Sequence, residues 1–142
     1  MYADFNFYKN SFYGSVLDAA AFTRCATRAS SFMDYITQGR IKPLIHDKKT
    51  DEDTLSAIKM CCCELAEAYV SIENAKAERA KNGGELQSET VGSYHRSFRS
   101  SAETEQSATA QLLKIAKQHL GYRHNLLYRG CSNVHTAHCD SI

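Results

Sequence analysis

Cysteine and histidine are the residues of this chain best equipped for chemistry, and their spacing argues against most of it. Cys61, Cys62 and Cys63 are adjacent. Thiolates bind zinc only when they converge on it, and successive helical positions point about 100° apart, so three in a row cannot meet on one ion. They read instead as small apolar side chains, one or two in the core and one near the surface. Cys131, His135, His138 and Cys139 offer four potential ligands near the C-terminus. Their spacing departs from the common zinc patterns, and the adjacent pair His138–Cys139 strains a tetrahedral closure. His46, His95, His119 and His124 are scattered. There is no nucleophile elbow, phosphate loop, dinucleotide glycine pattern or HExxH motif. The sequence therefore predicts no catalytic residues, no cofactor and no bound metal.

The elements that would position any site are helical. With 142 residues, 43% apolar and 23% charged, the chain has the composition of one ordinary globular domain. Asp18 can cap a first helix running to about Thr37, with Phe22, Ala26, Ala29, Met33 and Ile36 on one face and Arg24, Thr27, Arg28, Ser31 and Asp34 mostly on the other. Gly39 is a natural stop. Residues 40–49, with Pro43, read as a link whose Ile41, Leu44 and Ile45 tuck under the helices. Thr50 and Asp53 resemble a capping box for a second helix reaching about Ala80, with Leu55, Ile58, Cys62, Leu65, Ala66 and Tyr69 as its stripe. Ser100 and Glu103 can cap a third, ending near Leu120 and facing inward through Ala108, Leu112, Ile115, Ala116 and His119. Leu126, Leu127 and Tyr128 form a short apolar run that reads as a strand or a packed extended segment, and residues 131–142 read as a loose tail.

Two segments escape the helical period. Residues 1–17 carry Tyr2, Phe5, Phe7, Tyr8, Phe12 and Tyr13 in partial alternation, which predicts an extended aromatic arm that must bury its rings on the domain's own core or on a neighbouring subunit. The link from Glu85 to Ser101 contains Ser88-Glu89-Thr90-Val91-Gly92-Ser93-Tyr94. Thr90, Val91 and Tyr94 favour extended backbone, and Gly92 permits a bend. The fold expected is thus all-α: a compact bundle of three main helices, an extended N-terminal arm, and a long β-capable link between the second and third helices. Residues 1–130 form the domain and 131–142 the tail.

Charge and leader signals narrow the partners. A net charge of +1 disfavours capture of nucleic acid by its phosphates. No apolar run reaches the length of a membrane span, and no basic-then-apolar leader opens the chain. Three adjacent cysteines fit reduced thiols in a cytoplasm better than a secreted disulfide framework. One rival function is a small DNA-binding or regulatory domain using Arg24 and Arg28, whose blander reading is a solvated helix face. Another is metal binding by the Cys/His tail.

Four pieces in order carry a resemblance: Phe7-Tyr8 through Tyr13-Gly14; the helix Phe22-Thr23-Arg24-Cys25-Ala26-Thr27-Arg28-Ala29-Ser30 leading to Ile36-Thr37-Gln38-Gly39-Arg40; Ser88 to Tyr94; and Leu126-Leu127-Tyr128-Arg129-Gly130. Together they span residues 7–130, and the chain resembles the head–tail connector (adaptor) proteins of long-tailed bacteriophages. Neither the cysteine triplet nor the Cys/His tail belongs to that pattern. The resemblance implies a non-enzymatic virion protein, made in the host cytoplasm. It would form a homo-oligomeric, dodecameric ring beneath the portal protein, extend the DNA channel without reading sequence, and offer a platform to a tail-side stopper or tail-terminator protein. It also implies that Tyr128 and Arg129 lie where the C-terminal segment meets the portal. Arm and link suit the heterologous contacts of such a ring, so Phe7, Tyr8, Tyr13, Glu89, Val91, Gly92, Ser93 and Tyr94 are expected at subunit or partner interfaces. Lys76, Glu78, Arg79 and Lys81 would face the channel, where mixed charge lets DNA slide.

Overall fold

A computed structural model of the chain describes residues 1–82, 86–90, 95–98 and 101–127. Caps set the order of elements. Asp4 opens α1 (Phe5–Asn10), its carboxylate accepting the Phe7 N–H at 2.7 Å. Asp18 opens α2 (Ala19–Thr37) in the same way, accepting the Ala21 N–H at 2.7 Å. Asp18→Ala should cost about 1 kcal/mol of stability, since it strips the helix of that cap, and thermal denaturation would read it. α2 ends where Gln38 (φ 55°) and Gly39 (φ 75°) turn left-handed and return their N–H groups to Asp34. Then follow α3 (Ile41–His46), α4 (Glu52–Lys81), an antiparallel ribbon of β1 (Leu86–Thr90) and β2 (His95–Phe98), and α5 (Ser101–Leu120). The chain is predominantly helical, of the all-α class.

Three expectations fail here for local reasons. The arm is not extended: α1 occupies its centre, because Asp4 supplies a cap and the next six residues contain neither Gly nor Pro. The α4 cap is Asp51, not Thr50. The Asp51 carboxylate accepts both the Thr54 N–H at 2.8 Å and the Thr54 hydroxyl, and these bonds hold its pKa low, at about 2. Residues 40–49 are also more regular than a link. Pro43 falls in the first turn of α3, where its missing N–H breaks no helical bond.

α4 is the axis, with α2 and α5 packed along it and α3 touching both α2 and α4. The core joins Phe22, Met33, Ile58, Leu65, Leu112 and Leu120, all buried. Because α4 has neighbours on several sides, Cys61, Cys62 and Cys63 are all fully buried, correcting the expectation that one would approach the surface. The turn after α5 is tied down rather than extended: Leu126 is buried, Arg123 pairs with Asp53 at 2.5 Å, and Arg40 donates to the Asn125 carbonyl at 2.8 Å.

Candidate assembly surfaces

The aromatic residues of the N-terminal region divide into an internal and an external set. Tyr8 was expected at a subunit interface but is wholly buried in the chain's own core. Its ring stacks on Phe22 at a centroid distance of 4.7 Å and on Phe12 at 5.7 Å. Its hydroxyl donates to Glu67 at 2.7 Å and accepts the Val16 and Leu17 N–H groups, each at 3.1 Å. Burial, and then the Glu67 bond, push its pKa up. Phe7 is half-buried against the core with the Lys59 ammonium 5.3 Å from its ring centre. Tyr13, by contrast, is 82% exposed.

The other expected site residues scatter. Glu89 lies in β1, paired in register with Arg96 of β2. Lys76, Glu78 and Lys81 are exposed and Arg79 is partly so, all in the last two turns of α4. Val91, Gly92, Ser93, Tyr94, Tyr128 and Arg129 lie outside the described residues, as do Cys131, His135, His138 and Cys139. Among the described residues no group of His, Cys, Asp and Glu is placed to hold a metal, and no helix is long and apolar enough to cross a membrane.

Most groups that could do chemistry are engaged within the fold. His119 contacts Glu64 at 2.5 Å between α5 and α4. Arg24 reaches Glu73 at 2.9 Å, and Arg28 pairs with the same carboxylate. Burial raises the pKa of Cys25, Cys61, Cys62 and Cys63, which keeps these thiols protonated and unreactive.

Two broad surface depressions flank α4, and a small one of about 100 Å³ adjoins the second, with Lys76 and Arg79 in its lining. One, of about 450 Å³, is lined by Thr27, Arg28, Ser31, Phe32 and Tyr35 of α2 with Tyr69 of α4. The other, of about 650 Å³, runs between α4 and α5 past Val16, with Glu64, Glu67, Val70, Glu78 and Ile115 among its walls. Sequence reasoning missed both. The available signal was Tyr35, a large aromatic one helical turn beyond Ser31 on the otherwise polar face of α2. No protein-family model, curated protein or solved structure matches this chain.

Proposed function

We propose that this chain is a structural virion protein, a head–tail connector that assembles as a ring beneath the portal, extends the DNA channel and presents a platform to a stopper or tail-terminator protein. The observation that carries the reading is how the side chains are used. Most potentially reactive groups have partners within the chain: His119 on Glu64, Arg24 and Arg28 on Glu73 at the surface, the described cysteines in the core. Several large apolar side chains are left outside the core. Val16, Tyr35 and Tyr122 stand 63%, 73% and 96% exposed, which suits a surface made for protein contacts. The ordered resemblance over residues 7–130 gives that surface its place in the virion. The finer architecture proposed with it is a bundle of α2, α4 and α5 whose β1–β2 link serves assembly. The DNA-binding alternative would rest on Arg24 and Arg28, and two guanidiniums sharing one Glu73 on a chain of net charge +1 are a small basic patch for phosphates, which weighs against it.

Val91→Ser combined with Tyr94→Ala should leave the helical circular dichroism unchanged and impair ring or particle assembly. Twelve copies of a 15.9 kDa chain make a ring of roughly 190 kDa, which light scattering resolves from the monomer, with portal protein added where assembly requires it. A chain that joins neither portal nor tail proteins under any condition defeats the connector reading. Unchanged assembly of the double variant removes the link from it.

A further inference from the structure

We infer that the two broad depressions beside α4 are the halves of one contact between copies of this chain: the aromatic face of α2, led by Tyr35, docks into the acidic α4–α5 groove of the next copy. This rests on the assembly reading above and names the surfaces that would join. Direction is the first ground. Tyr69 lines one depression while Glu67 and Ser71 line the other. Positions two apart on a helix differ by about 200°, so the faces look away from each other across α4. A contact between them is heterologous, leaving a free face at each end until a ring closes.

Charge is the second ground. On the aromatic side two guanidiniums, Arg24 and Arg28, share the single carboxylate of Glu73, leaving positive charge in excess. The described lining of the groove carries Glu64, Glu67 and Glu78 without Lys or Arg, while Lys76 and Arg79 line the small depression that adjoins it at Ser71, Ala75 and Gln111. Glu64 and Glu67 have internal partners in His119 and Tyr8, while Glu78 is exposed. Opposite faces therefore attract and like faces repel, which selects head-to-tail pairing over a twofold dimer. Apolar chemistry is matched as well. Tyr35 protrudes with Phe32 and Tyr69 half-buried behind it, and the groove offers Val70 and Ile115 on its walls and exposed Val16 at its edge. An aromatic anchor entering a pocket is the usual centre of such a contact.

The test blocks one face at a time. Tyr35→Glu disables the aromatic face, and the double variant Val16→Arg with Glu78→Arg disables the groove; all three side chains are exposed, and circular dichroism checks that the fold survives. Sedimentation of the full chain at concentrations up to the order of 1 mM should show self-association of the wild type, weakened by about tenfold or more in each variant. Mixing the two variants should give heterodimers and nothing larger, because each retains the face the other has lost. Self-association of either variant at wild-type strength overturns the assignment of faces while leaving the connector reading standing. So does a wild-type chain that stays monomeric throughout this range yet still binds portal. Failure to bind portal is a separate result, and bears on the connector reading.

Discussion

Tyr8→Phe is expected to lower stability by roughly 1–3 kcal/mol, and Tyr8→Ala by roughly 3–5 kcal/mol, in urea unfolding followed by circular dichroism. The two numbers separate two jobs of one side chain. Phenylalanine keeps the ring, and with it the stack on Phe22 and Phe12. It removes only the hydroxyl, which orphans the N–H groups of Val16 and Leu17 and leaves Glu67 without its donor. The Leu17 bond is buried, and a buried donor without an acceptor costs more than its bond was worth. Alanine also opens a cavity at the meeting point of α1, α2 and α4. The chain around Tyr8 is fitted to it: a Cβ on Gly14 would fall 2.0 Å from the ring, so the segment between α1 and α2 crosses the ring face where only glycine fits. A Phe variant as stable as wild type would mean that the hydroxyl does not pin residues 16 and 17. Because the expected loss is in folding, each variant should unfold with an unchanged denaturant slope and an earlier midpoint.

What could be read from the sequence was what is encoded locally. The Asp18 cap, the inward face of α2 and its end near Thr37 are carried by a few neighbouring residues, and the structure places them there. The failures share a cause: they depend on what covers an element rather than on the element itself. Six residues are too few to display a helical period, so α1 read as an extended arm, although Asp4 was an available cap. A single apolar stripe presumes one neighbour and so predicts a cysteine of the triplet near the surface, whereas α4 has α2 on one flank and α5 on another. In the sequence Tyr35 only continues the polar face of α2, and the groove around it is what gives that position meaning. Of the residues expected at assembly surfaces, Tyr8 turned out to be core, while Tyr13 is exposed. The partners of Glu67, Glu73 and Glu64 lie 45 to 59 positions away in sequence, beyond the reach of any local pattern.

Native alkylation of Cys63 at pH 8 should run at least about 1,000-fold slower than in the unfolded chain, because only the thiolate attacks and the native thiol is also buried. Burial, followed by the charges of Cys62, Glu67 and Asp4, pushes the Cys63 thiol from its ordinary 9.0 up to about 12. At pH 8 a rise of that size lowers the thiolate fraction by about three orders of magnitude. Cys25, Cys61 and Cys62 are displaced in the same direction, chiefly by burial, so four thiols should react together and only when the fold opens. Replacing Cys131 and Cys139 by serine removes the remaining thiols from the measurement. Linkage fixes the sign of the accompanying pH effect. A thiol whose folded pKa lies above its unfolded one leaves stability intact below the unfolded value and erodes it as pH rises. The unfolded chain then gains thiolates that the folded chain cannot form. For Cys63 the decline begins near 9.0 and is complete near 12, at about 1.4 kcal/mol per pH unit within that window. Tyr2, Tyr8 and Tyr69, whose hydroxyls burial also pushes up, act with the same sign at higher pH. Cys63→Ala should remove one thiol's share of the decline that starts near 9.0 and leave the shares of Cys25, Cys61 and Cys62 and the tyrosine part in place. Rapid alkylation without denaturant, or stability that holds flat to pH 11, would mean that α4 is open to water at the triplet and that α2 and α5 do not enclose it together.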